Sequence, residues 1–560
     1  MKDYSEWEPI LDYETESPYL KNPNRPWLKF RPDYIPKSIR FEPIPVHEYL
    51  KRVMTKVPNT VCVEYKNKKY TYRELIYISE KIANALYEAG VRKGDGIGIM
   101  TSNCPEFLFC ILGILEIGAI LVPINPLLKE ADVTHILKDA GIIKTVFVHK
   151  NNFRVIKRIR NDIGLKNIIL IGTESAKPDT ITLQQFIDET PSKHPEVDID
   201  PLNDIATLLY TGGTTGLPKG VILTHNNIVA CSLSSLYGLK DPEVEVEDVI
   251  GKNTVLTVLP ICHSFGFQIL ISSLALASML VMFESFNATE VLKAIEYYKP
   301  SLFIGVPIMF QMLVNTPDFK MRDLSSLETA ISGSAALSPD LNTKWSDITR
   351  FKVGQGFGLT ETSAISHMRP KWLPKIIPES IGIPLIDTDA KIVNPDTLEE
   401  LPPSEIGELL IRGPQVMKGY WKRPEETART IIDNWLRTGD LARMDNDGYF
   451  YIEGRIKDII KYKGYKVMPK EIEEKLCEHP AVLEVGAVSA LDPDIGETIK
   501  AYIALRPEYR EKIKEHDIIE WSKRNMAAYK YPRQVEFVNI LPRTSIGKIF
   551  RRKLRERGEE

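Results

Sequence analysis

Leu208-Leu209-Tyr210-Thr211-Gly212-Gly213-Thr214-Thr215-Gly216-Leu217-Pro218-Lys219-Gly220 opens on apolar residues and turns abruptly polar. Leu208, Leu209 and Tyr210 read as the end of a strand. The four glycines that follow let backbone N–H groups approach an anion without obstruction by Cβ atoms. Three threonine hydroxyls add donors, and Lys219 adds a mobile positive charge. Pro218 stiffens the exit, and residues 221–227 lead into a helix. The P-loop pattern of nucleoside triphosphatases, with Lys-Ser/Thr directly after its last glycine, is absent.

Working outward, Thr71-Tyr72-Arg73-Glu74 has capping-box spacing and predicts an amphipathic helix over 72–86. Residues 94–100 read as a turn into a buried strand. The β-branched runs 142–148 and 168–171 flank a helical segment, 153–163. Strands alternating with helices imply doubly wound α/β sheets. Two apolar stretches, 107–128 and 269–283, invite comparison with membrane spans. The first contains Glu116, Pro123 and Asn125, and the second falls short of the ~20 residues a span needs. Both read as a buried helix running into a buried strand, so no transmembrane segment is expected.

After residue 382 the pattern changes to short antiparallel strands, around Lys391-Ile392-Val393 and over 407–412. A compact α+β unit of roughly 100 residues begins near Arg455. It should contain helices over 471–477 and 517–525 and strands over 482–488 and 500–505. Residues 1–45, rich in Pro, Trp and Tyr, read as an extended arm wrapping a domain.

The 560 residues exceed one core, which stops growing at roughly 250–300. A net charge of -3 argues against a nucleic-acid binder. The basic stretch 551–557 reads either as a solvated helix face or as a phosphate contact. Six cysteines without a C-x-x-C pair fit reduced thiols in a cytoplasm. The start, Met1-Lys2-Asp3-Tyr4-Ser5-Glu6, lacks the features of a signal peptide.

Gly354-Gln355-Gly356-Phe357-Gly358-Leu359-Thr360-Glu361-Thr362 lacks the third glycine and long helix of a dinucleotide fingerprint. Phe357 is either a core aromatic or a flat face for a base, and Thr360 can reach a phosphate. Glu361 supplies one hard oxygen, enough for Mg²⁺ that takes its other ligands from phosphate and water.

These two stretches resemble signatures of the adenylate-forming superfamily, which includes acyl- and aryl-CoA synthetases, peptide-synthetase adenylation domains and beetle luciferases. The first is similar to Ser/Thr-Ser/Gly-Gly-Thr-Thr-Gly-x-Pro-Lys-Gly, with Gly212 where serine is common. The resemblance implies that Thr211, Gly212, Gly213, Thr214, Thr215, Gly216 and Lys219 hold the β- and γ-phosphates of ATP, with Thr214 and Glu361 at Mg²⁺. The second resembles Tyr-Gly-x-Thr-Glu with Phe for Tyr, which assigns Gln355, Gly356, Phe357, Gly358 and Thr360 to the nucleotide. Ser332-Gly333-Ser334-Ala335-Ala336 resembles the small-residue turn on the other side of the adenine, implicating Gly333, Ser334 and Ala335.

Trp435-Leu436-Arg437-Thr438-Gly439-Asp440 is similar to Trp-x-x-Thr-Gly-Asp, giving Asp440 the ribose hydroxyls. The resemblance assigns Arg455 to the nucleotide and a hinge to Lys457. It implies that Lys461, Lys463, Gly464 and Tyr465 form a strand-turn entering the site for thioester formation with coenzyme A. Leu541-Pro542-Arg543-Thr544-Ser545-Ile546-Gly547-Lys548 resembles Leu-Pro-x-Thr-x-x-Gly-Lys. Lys548 then bridges the acid carboxylate and the α-phosphate by positioning and charge stabilisation. In Pro260-Ile261-Cys262-His263-Ser264-Phe265-Gly266-Phe267, His263 either orients the acid or gates its pocket, or is a buried structural histidine. Gly358 stands where acetyl-CoA synthetases close the pocket with Trp. That implies a deeper pocket, walled by Val306, Pro307, Phe265 and Phe267.

The expectation is an α/β protein: arm 1–45; a large N-terminal domain, 46–456, of doubly wound sheets with a small barrel-like β subdomain; and a small mobile α+β C-terminal domain, 457–560. The implied activity is ATP-dependent ligation of a carboxylic acid to CoA through acyl-AMP, on a medium- or long-chain fatty acid. Alternatives are an aryl or short hydroxy acid, an acyl-AMP ligase with another acceptor, a luciferase-like oxygenase and a non-catalytic nucleotide-binding scaffold. Homo-oligomerisation is left open.

Overall fold

Thr71 caps its helix as the spacing predicts. Its hydroxyl accepts from Glu74 N, the Glu74 carboxylate accepts from Thr71 N at 2.7 Å, and the helix runs Tyr72–Glu88. The computed structural model describes the chain except residues 1–3, 5, 23–24, 143, 189, 191–195, 212–216, 239, 241–242, 493–495, 544–548 and 560. It divides into two compact units, residues 1–390 with 411–436 and residues 391–410 with 437–560. The expected 456/457 boundary falls inside the second unit. The strands Asp389–Val393, Gly407–Arg412 and Trp435–Met444 run through the points of division.

In the first unit Gly96–Met100 lies at the centre of an eight-stranded sheet. Ile120–Ile124 and Thr145–His149 flank it in parallel, and Asn167–Ile171 continues beyond. Gly96–Met100 and Ile120–Ile124 are buried at every position, as a sheet covered on both faces requires. The stretch 107–128 resolves as the expected helix and strand, Pro105–Glu116 and Ile120–Ile124; 269–283 resolves as Ser264–Ala275 and Met279–Met282. On the other flank Ile205–Thr211 runs parallel to Ile120–Ile124, and Lys219–Thr224 returns antiparallel to it. Gly419–Tyr420 adds antiparallel to that strand. A separate parallel sheet comprises Leu302–Gly305, Thr329–Ser332 and Gly354–Gln355.

Residues of the arm are fastened to the first unit by buried polar contacts. Ile10–Asp12 pairs antiparallel with Ser38–Arg40. The Ser38 hydroxyl and Ile39 N donate to the two Asp387 oxygens at 2.7 and 2.8 Å. Arg25 and Arg412 pair with opposite oxygens of Asp389, at 3.0 and 2.9 Å. Arg412 also donates to Tyr19 O at 2.9 Å and lies 4.2 Å from the Trp435 ring centre. Burial raises the Asp389 carboxyl above its ordinary range against the pull of both guanidiniums.

Helix His225–Gly238 begins on a buried imidazole whose Nδ1 accepts from Val46 N at 3.1 Å. Burial pushes the His225 pKa down to about 3, and the buried His367 likewise to about 3.

The second unit carries the expected α+β pattern. Val482–Asp492 and Gly496–Leu505 form an antiparallel pair, with Gln534–Phe537 parallel to the latter. Ile472 and Leu476 of helix Pro469–Cys477 and Ile518 of helix Glu515–Asn525 join Val485, Ile499 and Ile503 in its core.

Candidate active site

Thr211 pairs with Lys219 across the antiparallel strands Ile205–Thr211 and Lys219–Thr224, which brings these two residues together at the strand ends. Gly212, Gly213, Thr214, Thr215 and Gly216 lie outside the described residues. The Lys219 ammonium pairs with the Glu426 carboxylate and sits 4.5 Å from the centre of the Tyr420 ring. The Tyr420 hydroxyl in turn donates to Glu361 Oε1 at 2.7 Å. Burial, then the Glu361 charge, pushes that phenol above its usual range. The expected metal-binding carboxylate and the phosphate-loop lysine are thus joined through one aromatic side chain.

No local pattern marks Tyr420 or Glu426 as a site residue. Pro424 at the first position of helix Pro424–Thr430, with Glu425 and Glu426 in its first turn, is a legible helix start. Nothing local links that turn to Lys219, 207 residues away.

The nucleotide motif sits at the carboxyl ends of the parallel strands, where ligands of open α/β sheets bind. Gly333 N bonds to Gly305 O at 3.1 Å and Gly356 N to Ser332 O at 3.0 Å, stitching the loops after neighbouring strands together. Ser334 has φ 71° and Ala335 is exposed. Phe357 is half-buried; its backbone exchanges hydrogen bonds with His367, and the rings meet edge-on at 6.0 Å. Gln355 accepts from Leu337 N at 3.0 Å and donates to Pro378 O, so its side chain supports the loop backbone.

A Cβ on Gly358 would stand 1.9 Å from the Ala364 carbonyl oxygen. Glycine there is required by close chain approach, so the residue cannot be counted as a simple vacancy in the acid pocket. Thr360 Oγ1 lies 3.2 Å from Ser264 Oγ, and Glu361 O accepts from Met417 N at 2.8 Å.

His263 is the N-cap of helix Ser264–Ala275, its Nδ1 accepting from Phe265 N at 3.4 Å. The half-buried imidazole therefore has a capping role beside any acid-orienting one. The Phe265 ring covers Gly333 and touches the apolar cluster of Cys231, Ala364, Ile365, Met368 and Leu385. Phe265 also packs on the cluster that contains Val306, whereas Phe267 lies in the main core.

In the second unit Asp440 stands opposite Arg455 on paired strands, Oδ1 to Nε 2.7 Å, with the carboxylate buried and the guanidinium partly exposed. The Thr438 hydroxyl accepts from Asp440 N at 3.1 Å and donates to Leu409 O at 2.7 Å. Lys457 lies in the 3₁₀ turn Ile456–Asp458, whose Asp458 pairs with Arg555 at 2.6 Å. Lys463 and Gly464 join the strands Ile460–Tyr462 and Tyr465–Val467 with φ of 47° and 85°. Two left-handed central residues make this a type I′ turn, and no atom lies within 4 Å of a Cβ built at Gly464. Lys461 N donates to Glu497 at 3.1 Å, and Tyr465 stacks on Tyr529 at 4.4 Å. Lys548 lies outside the described residues; Arg543 and Ile549 on either side of it form an antiparallel bridge. The basic stretch 551–557 is largely paired: Arg551, Arg555 and Arg557 meet Glu473, Asp458 and Glu536.

Among the described residues no group of three or more acidic, histidine or cysteine side chains could hold a metal ion. Glu361 alone fits Mg²⁺ that keeps water and phosphate oxygens as its other ligands. Tyr420 occupies only one of the roughly four lone-pair positions of its carboxylate.

The model of the AMP-binding enzyme family matches residues 50–421, and that of the AMP-binding enzyme C-terminal domain matches residues 471–548. A long-chain-fatty-acid–CoA ligase of Bacillus subtilis (strain 168) is 35% identical over 96% of this chain and 98% of its own. The solved anthranilate CoA ligase AuaEII in complex with anthranoyl-AMP superposes with a TM-score of 0.82 at 31% identity, covering 92% of this chain and 97% of its own. ATP-bound MatB from Rhodopseudomonas palustris gives 0.83 at 27% identity, covering 92% and 99%.

Proposed function

The chain belongs to the AMP-binding enzyme family, and on that premise we propose that it ligates a medium- or long-chain fatty acid to CoA through an acyl-adenylate. The observation that carries this is the joining of Lys219 and Glu361 through Tyr420 at the end of the strand pair. A cation and a carboxylate able to hold Mg²⁺, joined in this way, suit a bound triphosphate. The apolar cluster reached by Phe265, together with the long-chain-fatty-acid relative, supports an alkyl acid.

In the first step a carboxylate oxygen of the acid attacks the α-phosphorus of ATP, and the bond to the β-phosphate bridging oxygen breaks to release pyrophosphate. Thr211 and residues 212–216 cradle the β- and γ-phosphates, with Lys219 adding charge. Thr214 and Glu361 would hold Mg²⁺, which neutralises phosphate charge. Gly333, Ser334, Ala335, Gly356, Phe357 and Thr360 enclose the adenosine end, and Asp440 and Arg455 receive the ribose and phosphate. Lys548 draws the two anionic reactants together.

In the second step the CoA sulfur attacks the acyl carbonyl and the acyl–phosphate C–O bond breaks, releasing AMP and leaving the thiol proton with solvent. Lys457 is the pivot that exchanges the two active conformations. The turn at Lys463 and Gly464, with Lys461 and Tyr465, lines the pantetheine path. All six cysteines are free thiols, which supports a reducing, cytoplasmic setting.

Pyrophosphate release from a panel of acids, with and without CoA, tests the assignment. Release that depends on alkyl chain length, with thioester formed when CoA is added, is expected. Preference for aryl acids, as the anthranilate ligase favours, would move the acid class. Release without thioester would replace CoA by another acceptor, and no release with any acid would leave a nucleotide-binding scaffold. Lys548→Ala should abolish adenylation yet spare thioester formation from supplied acyl-AMP; equal loss of both steps would remove its assigned role.

A further inference from the structure

We propose that Tyr420 is a positioning residue for adenylation, fixing the Glu361 carboxylate through its hydroxyl and seating the Lys219 ammonium on its ring. This role rests on the adenylation reading of the site.

Three constraints hold Tyr420 itself. Its backbone pairs with Val221 on the strand that begins at Lys219. Its N–H donates to Thr427 Oγ1 at 2.9 Å. The residue is 8% exposed, so the phenol needs a protein acceptor, and Glu361 Oε1 at 2.7 Å provides it. The same segment grips Glu361 a second time, since Met417 N donates to its carbonyl at 2.8 Å. Side chain and backbone of Glu361 are therefore both tied to residues 417–420, which leaves the carboxylate little rotational freedom. A carboxylate already oriented binds a hard cation without losing side-chain entropy on binding.

The ring serves the other partner. Lys219 lies 4.5 Å from its centre and pairs with Glu426, whose side chain is 40% exposed. An ion pair that open to water is weak. The ammonium can thus leave Glu426 for phosphate oxygens while keeping its place over the ring. One side chain thereby sets the distance between the cation serving the phosphates and the carboxylate serving the metal.

Tyr420→Phe and Tyr420→Leu separate these two functions. ATP binding is followed by titration calorimetry across a Mg²⁺ series, alongside thermal unfolding of the free protein and kcat and KM for pyrophosphate exchange. Tyr420→Phe should raise the Mg²⁺ concentration for half-maximal ATP binding about tenfold, the scale of a lost hydrogen bond to a charged group. Mg²⁺-free ATP binding should stay unchanged, the unfolding midpoint should fall by no more than a few degrees, and the loss in exchange should fall mainly on kcat. Tyr420→Leu should weaken Mg²⁺-free ATP binding as well. An unaltered Mg²⁺ requirement in Tyr420→Phe overturns the role. So does an equal loss of Mg²⁺-free binding in that variant, because only a structural part would then remain. A Tyr420→Leu protein identical to Tyr420→Phe in every constant overturns the seat for Lys219. If the wild-type chain fails to bind ATP at all, the adenylation reading falls and takes this role with it. Normal wild-type binding with an unaltered Tyr420→Phe sinks the role alone.

Discussion

The ring of Phe265 covers Gly333 so closely that a Cβ built on residue 333 would stand 2.9 Å from its Cε1 and Cζ. The helix that carries Phe265, Ser264–Ala275, is thus packed directly on the turn assigned to the adenine. Gly333→Ala must push the ring aside, and overpacking of this kind costs typically 1–3 kcal/mol. The expected result is about a tenfold fall in kcat/KM for pyrophosphate exchange with a thermal midpoint lowered by a few degrees. Shortening the neighbour in Gly333→Ala/Phe265→Leu should recover part of the loss.

Gly358 gives a different expectation from the one its sequence position invites. Read as a vacancy where acetyl-CoA synthetases carry Trp, it should accept a larger residue and merely shorten the preferred acid. The Ala364 carbonyl occupies that space. Gly358→Ala should therefore lower stability and weaken ATP binding, while the ranking of acids by chain length stays the same. Rates across a straight-chain acid series, with ATP affinity measured separately, distinguish the two outcomes.

Asp440 and Arg455 balance each other in the second unit. Truncating one partner of a fully buried pair costs roughly 3–5 kcal/mol. The Arg455 side chain is 36% exposed, so screening by solvent reduces the cost. A double-mutant cycle with Asp440→Asn and Arg455→Gln should return a coupling of about 1 kcal/mol in stability. Each single variant should also lose ATP affinity, read by calorimetry.

His225 and His367 are held neutral by burial, each with its pKa near 3 against an ordinary value of 6.5. Their folded pKa values are depressed, so the stability they confer is fully present above pH 6.5. It is lost progressively as the pH falls towards 3, because the unfolded chain takes up protons that the folded chain refuses. Each contributes a slope of up to ~1.4 kcal/mol per pH unit in that window. Urea-unfolding midpoints measured from pH 7 to 4 should fall, and His225→Gln should reduce the slope by about one proton.

Sequence alone located what depends on short spacing. The Thr71–Glu74 capping box set the helix start, and the helix over 153–163 is found as Phe153–Ile163, ended by Gly164 at φ 73°. The apolar stretch from 107 carried helix and strand in order. What escaped depends on distant partners. Tyr420 and Glu361 are 59 residues apart, and Ser38 and Asp387 349, with no local feature to connect them. The division of the units was equally hidden, because it cuts through strands whose apolar pattern does not break there. Gly358 carries a second constraint that the sequence does not show, because only the folded chain brings the Ala364 carbonyl against it.

Arg25 leaves the ribosome 364 residues before Asp389, the carboxylate that will neutralise it. At about 5–20 residues per second this is a wait of roughly 20–70 s. During that interval the growing polypeptide holds out a guanidinium destined for the interior. Tyr19, Arg25 and Ser38 therefore reach their seats only after residues 387–412 have been made.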